Sequence, residues 1–476
     1  MRRTKILATL GPASESPEVL REMIKAGLNA VRCNFSHGTP EDHEKRVNMI
    51  RQAAKDCGCF VGILADLQGP KIRIAKFKNG KIELVIGKEL VLDANLAKDA
   101  GDEHQVGIDY KELPNDVKPG DTLTLGDGDH ELKVKRVEGA RIICEILTSG
   151  ILSNNKGINK KGGGLSAKAL TDKDKQDIKT AARLGVDYVA VSFPRDASDM
   201  HEARALLQAE NSKACLVAKI ERVEAVQNID EIIKASEAVM VARGDLAIEI
   251  GDAEVPGVQK HIIQRARSLD KIVITATQMM ESMISCPVPT RAEVSDVANA
   301  VLDGTDCVML SGETAVGKYP VKVIQAMDRV CLAAERNSST RISRHRVECQ
   351  FNRVDEAISM ASMYIANHLD VKAIVALTES GDTVLWMSRI HSHIPIFALT
   401  RNAMTQGKMT LCRGVVPVAF DSTAMPAQSI NKAAIAELLK LKTIAENDYV
   451  IVTCGDHMGA HGGTNQLKVL KVGSVA

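Results

Sequence analysis

Short runs of mostly apolar residues recur through the first two-thirds of the chain, at 5–10, 29–33, 61–65, 187–192, 215–220, 238–242, 272–276 and 306–310. Runs this short, apolar on both alternating sides, predict strands buried on both faces of a parallel sheet. Between them apolar positions return every three or four residues and predict helices. The first opens at Ser16-Pro17, a polar cap followed by a residue pre-set for the first turn. Val19, Leu20, Met23 and Ile24 form its apolar face and Gly27 stops it. Later helices are expected at about 41–56, 171–184, 197–209, 223–236, 256–268, 292–302 and 320–335. Strand–helix units in this number close a (β/α)8 TIM barrel once residues 70–167 are set aside.

That set-aside stretch has a different texture. Short alternating segments such as 81–85 and 132–135 are separated by Gly-Lys, Pro-Gly and Gly-Asp-Gly turns. They predict a small antiparallel β-barrel domain inserted after the third barrel strand. Residues 337–353 are polar and basic and read as a connector. A second α/β region follows, with a helix from Ala357 to Leu369 and strands at 372–377, 394–399, 415–420 and 448–453. The expected organisation is therefore a catalytic barrel from 1–69 and 168–340, an inserted β lid from 70–167, and a C-terminal α/β domain from 341–476.

Composition narrows the function. Lys and Arg total 61 against 60 for Asp and Glu, which gives no bulk argument for nucleic acid or a membrane. No apolar run is long enough to span a bilayer and no leader pattern follows Arg2-Arg3, so a cytoplasmic setting is expected. The 11 cysteines are scattered among apolar neighbours, as suits structural thiols in a reducing compartment.

A barrel concentrates chemistry at the C-terminal ends of its strands. Polar residues gather at those positions: Arg32, Asn34, Ser36 and His37; Asp66, Gly69, Lys71 and Arg73; Lys219 and Glu221; Arg243, Gly244 and Asp245; Thr275, Thr277 and Gln278; Ser311 and Glu313. Lys219 and Glu221, two apart on an extended strand, face the same way. Glu221 and Asp245 suit a hard divalent ion such as Mg2+. Lys219, Arg32 and Arg73 suit the charge on a moving phosphoryl group, and the Gly244 backbone could offer donors to an anion. Matched charges on several strands at one rim are costly unless a ligand offsets their desolvation. Residue types alone leave an aldolase or a mutase open. Gly162-Gly163-Gly164 lacks the rest of a P-loop and reads as a hinge, Ser311-Gly312-Glu313 is not a nucleophile elbow, and Met279, Met280 and Met283 read as packing.

The chain resembles the pyruvate kinase family nearly end to end, most closely its bacterial type II form. The resemblance rests on Thr9–Ala13, Arg32–Gly38, Asp66–Arg73, Ala218–Glu221, Met240–Leu246, Ile274–Met279, Asp303–Asp306 and Met309–Glu313. It implies that Lys219 stabilises the phosphoryl group in flight, that Glu221 and Asp245 bind Mg2+ or Mn2+, and that Arg32 and Arg73 contact phosphate or nucleotide. It implies that Thr277 helps the enolate gain its proton. Asn34, Ser36, Asp66 and the Leu67 carbonyl match the family's monovalent cation shell. Pro12, His37 and Lys173 match positions lining the nucleotide site, beside Asn34, Arg243 and Gly244. The substrates implied are phosphoenolpyruvate and ADP, the products pyruvate and ATP, and the assembly a homotetramer. Two departures stand out. Ala247 replaces a usual glycine, and Lys71 stands where glutamate is common, which implies a weakened need for K+. Thr378, Ser380, Gly381 and Thr383 match an effector phosphate loop for a sugar phosphate or nucleoside monophosphate, with Asp382 where a basic residue is frequent.

Overall fold

In the computed structural model, residues 1–476 are described except Lys71, Asp127, 338–339, 341–349, 457–461 and 475–476. Eight parallel strands close the expected barrel: Lys5–Thr9, Ala30–Asn34, Gly62–Asp66, Tyr188–Val191, Cys215–Ile220, Ala238–Ala242, Ile272–Ala276 and Cys307–Leu310. Side-chain alternation sorts each strand into two cores. Inward residues such as Leu7, Leu64, Tyr188, Met240 and Ile274 fill the interior. Outward ones such as Ile6, Ala8, Val31 and Val239 meet the surrounding helices, together with Met279, Met280 and Met283, which are packing residues as expected.

The segment between the third and fourth barrel strands departs from the expected closed antiparallel barrel. It forms a six-stranded mixed sheet in the order Ile158–Lys160, Thr122–Leu125, His130–Glu138, Arg141–Ile146, Glu89–Asp93, Gln105–Gly107. The last pair is parallel. A separate two-stranded ribbon pairs Gly150–Ser153 with Lys81–Leu84. Both share one small core, so the alternating pattern identified strands correctly but could not fix how they pair. In the C-terminal region the four expected strands are present, and Thr464–Lys471 adds an antiparallel fifth beside Tyr449–Gly455. Most of the expected connector at 337–353, and Lys71, lie outside the described residues.

The C-terminal region closes the barrel end opposite the rim. Leu411 and Cys412 belong to the same apolar cluster as the barrel interior. The Tyr188 hydroxyl donates to the Lys408 carbonyl at 2.6 Å, and Arg389 forms a buried ion pair with Asp306. Asp187 is wedged into this junction. Its Oδ2 accepts the Ile63 N–H at 2.8 Å, and a methyl added at Gly407 would stand 1.7 Å from its Oδ1. Burial pushes its pKa from 3.8 up to about 6, with the Ile63 N–H and Arg51 offsetting only part. An acid whose folded pKa is raised loses stability as pH climbs through that window, and the cost is complete above it. Asp187→Asn keeps the acceptor and removes the charge. It is expected to gain about 2 kcal/mol at pH 8, and about half of that at pH 5, in the middle of the window. Calorimetric Tm at the two pH values checks this; an equal change at both contradicts it.

Candidate active site

The opposite end of the barrel gathers the charged residues. Lys219 comes from the inward side of its strand, and Glu221 follows one residue beyond the strand end. The Lys219 ammonium lies 2.9 Å from Glu221 Oε1 and 3.4 Å from Asp66 Oδ1, and it donates to Ser192 Oγ at 2.8 Å. Arg32 Nε reaches Asp66 Oδ2 at 2.5 Å, and the same guanidinium donates to Thr9 Oγ1 at 3.1 Å. Asp66 and Glu221 are each 1% exposed, so these charges interact with little screening by water.

Burial opposes each ionised form, and the neighbours decide the outcome. For Asp66 burial is the largest influence, yet Lys219 and Arg32 overcome it and hold the carboxyl below its usual range. For Lys219 burial again acts first, but Asp66 and Glu221 keep the ammonium charged. For Glu221 burial prevails, Asp245 adds repulsion, and the carboxyl is pushed up to about 7. Among the described residues, Glu221 Oε1 has no hydrogen-bond donor apart from Lys219. A buried carboxylate oxygen beside a second carboxylate is a place that a divalent cation would stabilise.

Thr277 occupies a left-handed backbone conformation with φ of 66°, followed by Gln278 at 51°. A β-branched residue there is strained and must be held. Its hydroxyl accepts the Gly244 N–H at 2.9 Å and donates to the Ala276 carbonyl at 2.6 Å. Arg243 supplies further support. Its guanidinium pairs with Asp296 at 2.7 Å and donates to the carbonyls of Ala276, at 3.1 Å, and Thr277, at 2.5 Å. Arg243, which the resemblance matches to the nucleotide site, is thus buried against Asp296 and the Thr277 turn.

Between the rim and the inserted sheet lies a cleft of about 330 Å³. Ser36, Arg73 and Asp245 line it, joined by Lys156 and Asn159 from the inserted segment and by Phe193, Arg222 and Glu249 from the barrel. Pro12 and His37 are exposed and lie outside this lining. Lys173 Nζ donates to the Phe35 carbonyl at 2.6 Å, which ties it to the Asn34–His37 turn. Within that turn Asn34 Oδ1 accepts the Ser36 N–H at 3.0 Å, and Asn34 stands beside Asp66 in strand register. The Leu67 carbonyl accepts the Ser192 hydroxyl at 2.8 Å. Glu249, 7% exposed, is a carboxylate that sequence reasoning missed. It sits on the helix Arg243–Ile250 one turn beyond Asp245, and that spacing on a helix was the available signal.

Far from this cleft, Thr378, Ser380 and Thr383 line a small pocket of about 50 Å³ in the C-terminal region. Gly381, at φ of 86°, makes the turn and donates its N–H to Thr378 Oγ1 at 2.9 Å. Arg401, Ser422 and Thr423 also line it and were not foreseen, and so do the carboxylates of Asp355, Glu379 and Asp382. Asp382 lies 3.4 Å from Lys408, which moderates the repulsion its carboxylate would offer an anion.

Fold and rim together describe a (β/α)8 barrel with a lysine–carboxylate cluster at the C-terminal ends of its strands. Comparison with known proteins gives the family. Residues 1–324 match the model for the pyruvate kinase barrel domain, and residues 356–470 match that for the pyruvate kinase alpha/beta domain. The chain is 56% identical to pyruvate kinase II of Salmonella typhimurium over 477 residues, 99% of each chain. It is 53% identical to a pyruvate kinase of Buchnera aphidicola subsp. Schizaphis graminum over 476 residues, 99% of each. It is 54% identical to a pyruvate kinase of Haemophilus influenzae over 459 residues, 96% of each. The chain belongs to the pyruvate kinase family.

Proposed function

We propose that this protein transfers the phosphoryl group of phosphoenolpyruvate to ADP, giving ATP and pyruvate in the last step of glycolysis. The observation that carries the reading is the Lys219 ammonium held between the buried carboxylates of Asp66 and Glu221 at the rim of a pyruvate kinase barrel. In the reaction the bond from phosphorus to the enol oxygen breaks, and a bond from phosphorus to a terminal ADP oxygen forms. Lys219 offsets charge on the group in transit, while Arg32 and Arg73 hold phosphate oxygens. Thr277, fixed by Gly244 and Arg243, holds the water that delivers a proton to the enolate carbon.

The family needs a divalent metal ion. Glu221 and Asp245 fit that need. Among the described residues Glu221 Oε1 has no donor but Lys219, and Asp245 acts on it as a second negative charge. A pair of carboxylates leaves the remaining positions to water and substrate oxygens, the pattern Mg2+ favours over a closed protein cage, with Mn2+ as substitute. When bound, the ion would supply Lewis-acid stabilisation of phosphoryl and enolate oxygens.

The same reading covers the rest of the molecule. The division into barrel, lid and C-terminal domain at 70–167 and 341–476 serves a cleft that closes over nucleotide, with Pro12, Asn34, His37, Lys173 and Gly244 on its approach. The 378–383 loop takes a sugar phosphate or nucleoside monophosphate effector. The assembly is a homotetramer in the cytoplasm; among the described residues no helix is long and apolar enough to cross a membrane.

Potassium is a point of distinction. Asn34, Ser36, Asp66 and the Leu67 carbonyl offer a monovalent shell, but Asp66 already faces Arg32 and Lys219. Lys71 adds a permanent cation to the same stretch of sequence. The protein is therefore expected to produce pyruvate and ATP without potassium, and Lys71→Glu to gain a marked KCl response. Initial rates against KCl, at ionic strength held with a bulky organic cation, test both the activity and its independence of K+. A wild type silent without KCl and rescued as strongly as the variant contradicts the second point.

A further inference from the structure

The return path from the inserted sheet to the barrel runs through Gly162, Gly163 and Gly164, with φ of 82°, 77° and 91°. Such a run of left-handed glycines is a natural pivot, yet its backbone is fastened at several points to the barrel. The Gly164 N–H donates to Glu224 Oε1, and the Gly162 N–H to the Glu249 carbonyl at 3.0 Å. Beyond the glycines, Arg222 donates to the carbonyls of Leu165 and Ala167 at 3.3 Å each, and Arg195 to that of Ser166 at 3.2 Å. A methyl at Gly163 would stand 2.7 Å from Glu224 Oε1, so the pivot lies directly against that carboxylate.

Most of these fastenings come from two short segments, which also carry the two carboxylates assigned to the divalent cation. Glu221 directly follows the strand Cys215–Ile220, and Glu224 lies three residues on, in the first turn of the helix Val223–Gln227. Asp245 is in the first turn of the helix Arg243–Ile250 and Glu249 in its last. The segments are cross-linked where the Val223 N–H donates to Glu249 Oε2 at 2.9 Å. Glu221 Oε2 also accepts the Phe193 N–H at 2.8 Å, and the Phe193 ring lies beneath Arg222, 5.6 Å from centroid to guanidinium. Phe193 is itself in the left-handed region, at φ of 55°. A cation drawing Glu221 and Asp245 together must therefore move, or lock, the groups that hold the pivot.

We propose that Glu224 and Glu249 are positioning residues that couple the setting of the lid's glycine pivot to occupancy of the Glu221–Asp245 metal site. The proposal rests on the reading of Glu221 and Asp245 as metal ligands. The clamp holds the inserted segment loosely while the carboxylates repel, and tightens when a cation removes that repulsion. Lys156 and Asn159, at the far end of the same return path, are then carried toward or away from the cleft.

Hydrogen exchange read by mass spectrometry across 157–170 tests this in the intact protein, with Mn2+ alone as the probe and its affinity measured from the free-ion paramagnetic signal. In the wild type, Mn2+ is expected to slow exchange of the glycine amides. Glu224→Ala is expected to bind Mn2+ within about twofold of wild type, because it is not a ligand. It should lose about tenfold of the Mn2+-dependent protection, the scale of a hydrogen bond to a charged acceptor. Glu224→Gln, which keeps an acceptor oxygen, should restore part of it. A merely structural role would lower protection equally with and without the ion. Gly163→Ala, which pushes on the clamp from the pivot side, gives the same readout should Glu224→Ala fail to fold. Unchanged Mn2+-dependent protection in Glu224→Ala, at wild-type affinity, overturns the clamp and leaves the metal site standing. Wild-type affinity and protection in Glu221→Gln overturn the metal assignment and the proposal with it.

Discussion

Replacing Lys219 by methionine is expected to lower kcat by about 10³-fold while changing substrate affinity little. The side chain keeps most of its stem, so packing against the strand survives. What disappears is a positive charge held between Asp66 and Glu221 at the barrel rim. Inside so buried a site, a charge aimed at the moving phosphoryl group acts at full strength only in the transition state. The variant also leaves Asp66 with one cation instead of two, so some loss of stability accompanies the kinetic loss. Steady-state kinetics with each substrate varied separate the effects. Proton exchange at the methyl group of pyruvate should persist, because that step moves no phosphoryl group. A large rise in KM with kcat nearly unchanged would place Lys219 in ground-state binding instead.

Glu221→Gln and Asp245→Asn should each weaken Mn2+ and Mg2+ binding by roughly 100-fold and reduce turnover at limiting metal to match. Both changes are nearly isosteric, and the Phe193 N–H still finds an acceptor at position 221. Excess metal should recover part of the turnover. The affinity measurement, made without substrate, is the decisive one. Wild-type affinity in both variants would move the cation site elsewhere.

The barrel strands were legible because each is a short apolar run, and the structure places them within a residue or two of the expected spans. Lys219 and Glu221 were legible for a local reason, being two apart at a strand end. The helix Arg243–Ile250 was not. It starts with Arg-Gly-Asp and has no side-chain cap, so its first residues read as a loop. The missing cap is supplied from the next strand, by the Thr277 hydroxyl on the Gly244 N–H. The role of Arg243 depended on the same unforeseen packing, since Asp296 is 53 residues away along the chain. A single expected helix at 223–236 divides into Val223–Gln227 and Ile229–Ala235 at Asn228, whose amide donates to the Arg195 carbonyl at 3.0 Å. In each case a long-range polar contact overrode a local pattern. The strained Thr277 turn left no mark in composition, because threonine gives no sign of the left-handed backbone it adopts here.

The central claim is that one rim both cleaves the enol phosphate and delivers its phosphorus to ADP. Phosphorus magnetic resonance on the purified protein with phosphoenolpyruvate, ADP and Mg2+ follows both events in one tube. The account predicts that the enol phosphate signal falls as the γ-phosphate signal of ATP rises in equal amount, with one pyruvate formed for each. Loss of the enol phosphate to inorganic phosphate, or no loss at all with metal present, would contradict it.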